Sequence, residues 1–138
     1  MNVRLVYTGE GASFKGYSTD GNELILDGSP DLGGLGKGPR PMELVLFGLA
    51  GCMGMDVLHI IQKARASLEQ AELQVSAKRV DAIPAIFEQV HLCFHLGGKG
   101  LTEKIAQRAI DLSLDRYCSV AQMLSPKVKI TAEVYLVS

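Results

Sequence analysis

The sequence predicts an α+β protein with helices packed on antiparallel sheet. Three observations carry this reading. Short runs of alternating apolar and polar residues stand near both ends and in the middle of the chain. A long apolar stretch with helix-start chemistry separates the first group of runs from the second. Two further helical patterns then precede a terminal alternating run.

Residues 2–8 alternate, with Val3, Leu5 and Tyr7 on one side, and a second run spans 13–17. Asp20-Gly21-Asn22 reads as a turn and 23–27 as a further strand, completing an antiparallel meander. Residues 29–41 are rich in Gly and Pro and read as a loop, a mobile flap before a helix. The GGLGKGP stretch lacks the Ser or Thr that follows the lysine of a phosphate loop, so no nucleotide site is expected. Pro41 suits the first turn of a helix, and Glu43 suits the positive end of its dipole. That helix is expected to run to about Ser67 and to be buried. Strands are expected at 72–80 and 86–96. Thr102 is the expected N-cap of the next helix, whose stripe is Leu101, Ile105, Ala109 and Leu112. A short helix follows Cys118 and stops at Ser125-Pro126, and residues 128–136 close the chain as a strand.

Composition narrows the function. The chain of 138 residues is the length of one domain, read as 1–138. Apolar residues make up 47% and charged residues 21%, enough for a core and too apolar for a disordered chain. A net charge of -1 without Trp leaves neither the basic footprint nor the stacking platforms of a nucleic-acid binder. Three cysteines are too few for a disulfide scaffold, and an odd number cannot all pair. A reducing, cytoplasmic context is the expectation. Residues 42–61 reach the length of a membrane span, yet Glu43, Asp56 and His59 interrupt them, and a buried helix of a soluble protein is the better reading.

Cys52 lies mid-helix in FGLAGCMGMD. Such a cysteine is either a small hydrophobe or, with a cation nearby, a nucleophile. Gly48, Gly51 and Gly54 recur every third residue around it. Each costs about 1 kcal/mol in a helix relative to Ala. Their recurrence implies close approach by another backbone, including a second copy of the helix, or access to the sulfur. An obligate homodimer with residues 45–60 in its core is expected. Cys118, in RYCSVAQML, falls at a helix N-terminus two residues after Arg116, and both features favour a thiolate. Cys52 and Cys118 are 66 positions apart, which is no metal motif. A peroxide-reducing site would use such a pair, one sulfur attacking oxygen and the other condensing with it.

GPRPMELVLFGLAGCMGMDVL followed by RYCSVAQML resembles the OsmC/Ohr family of osmotically inducible and organic hydroperoxide resistance proteins. The resemblance covers nearly the whole chain. It implies an intertwined homodimer, a long buried central helix and two sites at the subunit interface. It assigns Cys52 as the attacking and Cys118 as the resolving cysteine, with a thiol reductant and neither metal nor organic cofactor. Two departures stand out. The family's peroxidases carry Glu ten residues before the first cysteine, where this chain has Met42, and its carboxylate, Glu43, comes one residue later. One residue is about 100° of helical rotation, so the two positions are not equivalent. Those enzymes also hold the thiolate with an N-terminal arginine, for which the candidates here are Arg40 and Lys15. The PMEL sequence at 41–44 is similar to a less characterised branch. Two functions therefore stand: a two-cysteine hydroperoxide reductase, or a non-catalytic redox sensor or binder of a small apolar ligand.

Two further clusters group polar side chains on one face. His91, Cys93 and His95 share one strand face, about 6.8 Å apart, which suits a polar sheet face or dimer contact better than a metal site. Asp56 and His59 share the helix face of Cys52. His59 lies about 10 Å along the axis, too far for a Cys-His pair, so both are read as capping a polar helix edge.

Overall fold

The computed structural model describes all residues, Met1–Ser138. The fold is α+β with two three-stranded sheets, as the alternating runs require. The chain divides into two compact units, Met1–Phe47 and Gly48–Ser138.

In the first unit, strands β1 (Arg4–Tyr7), β2 (Ser13–Tyr17) and β3 (Glu23–Asp27) form an antiparallel meander in the order β1-β2-β3. The Gly-rich segment that follows is tied down rather than a free flap. A short 3-10 turn at Pro30–Leu32 opens it. The Asp27 carboxylate then accepts the amides of Gly28 at 3.0 Å, Leu35 at 3.0 Å and Lys37 at 2.9 Å. Asp27 is only 3% exposed. The loop's amides thus converge on an anion, but the anion is the protein's own side chain. These amides, Lys37 first, hold the Asp27 carboxyl below its ordinary value.

Helix α1 spans Pro41–Lys63 and crosses from the first unit to the second. Arg40 is its N-cap, since the Leu44 amide bonds the Arg40 carbonyl at 3.0 Å. Glu43 Oε1 accepts the Arg40 backbone N–H at 3.0 Å, the reach-back half of a capping box. The helix stops four residues before the expected end: Arg65 adopts a left-handed φ of 63° and turns the chain. Its burial within the chain is one-sided, and Gln62–Arg65 are exposed. Leu49, Met53, Val57 and Ile61, one turn apart, are fully buried, whereas Phe47, Met55 and Leu58 are exposed. By length and composition α1 could cross a membrane. Its buried stripe makes it a core helix instead.

In the second unit, β4 (Gln70–Arg79) pairs antiparallel with β5 (Phe87–Gly97), but β5 pairs parallel with β6 (Lys129–Leu136). The expected all-antiparallel sheet fails at this edge. A parallel neighbour needs a long crossover, and α2 (Glu103–Leu112) and α3 (Ser119–Leu124) supply it. Alternation along a strand reports which face is buried, not strand direction. Val90, Leu92, Phe94 and Leu96 of β5 are buried with Ala106, Ala109 and Ile110 of α2. Thr102 caps α2 by accepting the Ile105 amide at 3.2 Å.

Candidate active site

The second unit brings Cys52 and Cys118 together. Their sulfurs and a carboxylate oxygen of Asp56 all lie within 4.8 Å of one another. Cys52 and Asp56 stand one turn apart on α1. Cys118 arrives from the other side of the sequence. Residues Ser113–Tyr117 form a π-helical turn that ends at Cys118, whose own amide bonds the Ser113 carbonyl at 2.8 Å. Such wide turns are rare and cluster at functional positions. Ser113 is fully buried and its hydroxyl donates to Asp56 Oδ2 at 2.9 Å. The turn therefore sets both the second cysteine and the orientation of the acid.

The two cysteines differ in access. Cys52 is half-buried and Cys118 fully buried. Cys118 is the N-cap of α3, as placed from the sequence, and its sulfur accepts the Ala121 amide at 3.3 Å. The expected thiolate does not follow. Burial pushes the Cys118 thiol up to about 11, with the neighbouring Cys52 adding to it. Desolvation of a charged sulfur outweighs the helix-end amides, which pull the other way.

Asp56 overturns its expected role as a helix-edge cap. It joins the cysteines and also lines a cleft of about 570 Å³ with His59, Ile60, Lys63, Arg108 and Tyr117. The signal for it was its i+4 spacing from Cys52. What the sequence hid was Ser113, because nothing local marks a serine that bonds a residue 57 positions away.

The other candidates, Lys15, Glu43 and Arg40, belong to the first unit. Lys15, on β2, pairs with Glu23 at 3.2 Å on an exposed face. Glu43 spends its carboxylate on the helix cap. Arg40 is in none of the chain's ion pairs.

His91, Cys93 and His95 form a polar sheet face. His91 bonds Thr131 Oγ1 at 2.6 Å and Glu133 Oε1 at 3.0 Å, and Cys93 Sγ lies 3.4 Å from His95 Nε2. Burial, then Glu133, raises the Cys93 thiol above its ordinary value.

The sequence model of the family described as OsmC-like protein matches residues 34–133. The chain belongs to the OsmC-like family. Protein YhfA of Escherichia coli strain K12 is 37% identical over 131 residues, covering 95% of this chain and 94% of that protein. The crystal structure of a hypothetical protein from Aquifex aeolicus VF5 superposes with a TM-score of 0.81 at 32% identity, over 99% of this chain and 97% of that one. The organic hydroperoxide resistance protein OhrB of Bacillus subtilis shares the fold, with a TM-score of 0.64 at 20% identity over 98% of both chains. The OsmC-like resemblance read from the cysteine motifs is thereby established.

Proposed function

We propose that this OsmC-like protein is a thiol peroxidase that reduces organic hydroperoxides with Cys52 and Cys118. The observation that carries the reading is the approach of the two sulfurs to within 4.8 Å from positions far apart in sequence. A fold shared with a protein named for organic hydroperoxide resistance supports it. The half-buried Cys52 is the attacking residue. Its thiolate attacks one peroxide oxygen, and the O–O bond breaks. The sulfur becomes a sulfenic acid, and the alkoxide takes up a proton and leaves as the alcohol. Cys118 then forms the S–S bond and water leaves. An external dithiol restores both thiols by exchange. Arg40 is the favoured cation for holding the Cys52 thiolate, because Lys15 is already paired with Glu23. In a homodimer it can come from either subunit. A reducing, cytoplasmic setting suits three free cysteines.

Two observations favour a second reading, a redox sensor or binder of a small apolar ligand without turnover. Met42 replaces the family's glutamate, and the charged group known to lie against the cysteines is a carboxylate, Asp56. Turnover of cumene hydroperoxide with dithiothreitol, lost in Cys52→Ser, supports the peroxidase. Ligand-dependent melting without turnover supports the binder and overturns it.

The homodimer is proposed on α1. The space beside a Cβ built at Gly48 or Gly51 is open to 4 Å, which leaves room for the close approach of a second copy. The exposed Phe47, Met55 and Leu58 supply an apolar face for a second copy.

A further inference from the structure

We propose that reduced Cys52, Cys118 and Asp56 form a binding site for a thiophilic divalent cation of the zinc class. The three donor atoms come from two separate segments and lie within 4.8 Å of one another. A tetrahedral zinc with Zn–S of about 2.3 Å and Zn–O of about 2.0 Å sets its donors about 3.5–3.8 Å apart. Closing by about 1.3 Å at most completes the geometry. Two sulfurs with one carboxylate oxygen are a donor set that zinc accepts.

The surroundings supply what a ligand needs. The buried Ser113 hydroxyl holds Asp56 Oδ2 at 2.9 Å, as a hydrogen-bond donor commonly fixes a ligating carboxylate. The Ala121 amide holds the Cys118 sulfur at 3.3 Å. Asp56 also lines the cleft of about 570 Å³, so the carboxylate side of the site borders a solvent-filled space.

Binding moves protons and no electrons. Each thiol releases its proton to solvent as its sulfur joins the ion, so two protons leave per ion and the carboxylate binds as it stands. The disulfide offers no thiolate, so the bound ion and the Cys52–Cys118 bond exclude one another. The inference does not rest on the peroxidase reading, since a chain that turns over no hydroperoxide can still hold the ion.

Co²⁺ added to the reduced protein tests this, because thiolate-to-cobalt charge transfer absorbs where the protein does not. The expected result is a band saturating at one Co²⁺ per chain and displaced by Zn²⁺. It disappears in Cys52→Ser and in Cys118→Ser and persists in Cys93→Ser. Ser113→Ala weakens affinity about 10–100-fold, the usual effect of losing a ligand's outer partner. Asp56→Asn weakens it at least as much. In the unaltered protein, Zn²⁺ slows alkylation of Cys52 and Cys118 but not of Cys93, a readout independent of how the variants fold. Absence of the band, its survival in Cys52→Ser with Cys118→Ser, or its loss in Cys93→Ser overturns the site. Unchanged affinity in Asp56→Asn overturns the three-donor assignment. Loss of peroxide turnover with the band retained removes the peroxidase reading alone.

Discussion

Ser113 and Asp56 are joined by a 2.9 Å hydrogen bond that ties the π-helical turn to helix α1 beside the cysteine pair. Ser113→Ala removes a fully buried donor to a carboxylate. The expected cost is about 1.5–3 kcal/mol, the range for a hydrogen bond to a charged group. Urea unfolding measures it. Lys104→Ala, at an exposed position of α2, is the comparison and is expected within about 0.5 kcal/mol of the parent. Equal midpoints for the two variants would remove the structural role of this bond.

Cys118 makes the reduced protein sensitive to alkali. Its folded value of about 11 lies above the unfolded thiol value of about 8.5, so the folded state holds this proton more tightly. That contribution is whole below about pH 8.5 and is lost as the pH rises toward 11. The stability gap between the parent and Cys118→Ser should therefore shrink from about pH 8 to about pH 11. Chemical unfolding of both proteins across that range is the measurement. A gap that stays constant or widens contradicts the assignment.

Asp27 acts with the opposite sign. Its carboxyl is held below the ordinary value of 3.8 by the Lys37, Leu35 and Gly28 amides. Its contribution is present above about pH 3.8 and fades as the pH falls through the lower folded value. Asp27→Asn should loosen the loop 28–37 at neutral pH. Trypsin cleavage after Lys37 should then accelerate about tenfold, the factor for losing one charge-assisted hydrogen bond. The acid limb of unfolding should also flatten in the variant. Unchanged cleavage would mean that the loop is held by its backbone alone.

Met55 tests the assembly. It is 73% exposed on α1, on the face left open by Gly48 and Gly51. Met55→Glu should convert the proposed dimer to a monomer at micromolar concentration, because a carboxylate buried at an apolar interface leaves its charge unpaired. Light scattering reads the mass directly. A stable parent monomer would refute the dimer outright, and a dimeric Met55→Glu would place the interface elsewhere.

Local chemistry made most elements legible. Proline at the start of α1, Thr102 at the cap of α2 and strict alternation in β5 each act within a few residues, so the sequence carries them openly. Cys118 as the N-cap of α3 was legible for the same reason. Direction and closure were not. The parallel placement of β6 depends on the path of α2 and α3, which alternation does not encode. The Gly-rich loop looked mobile because its anchor, Asp27, sits before it on β3.

By itself, the sequence determined the α+β class, the membership implied by two cysteine motifs, and the apolar face that buries β5. Tertiary structure alone decided that Cys52 and Cys118 meet, that Asp56 stands with them, and that burial keeps the Cys118 thiol protonated. The physical reason is range. Caps, turns and periodicity act over one or two turns of chain, whereas desolvation and sulfur-to-sulfur distance arise only when remote segments have packed.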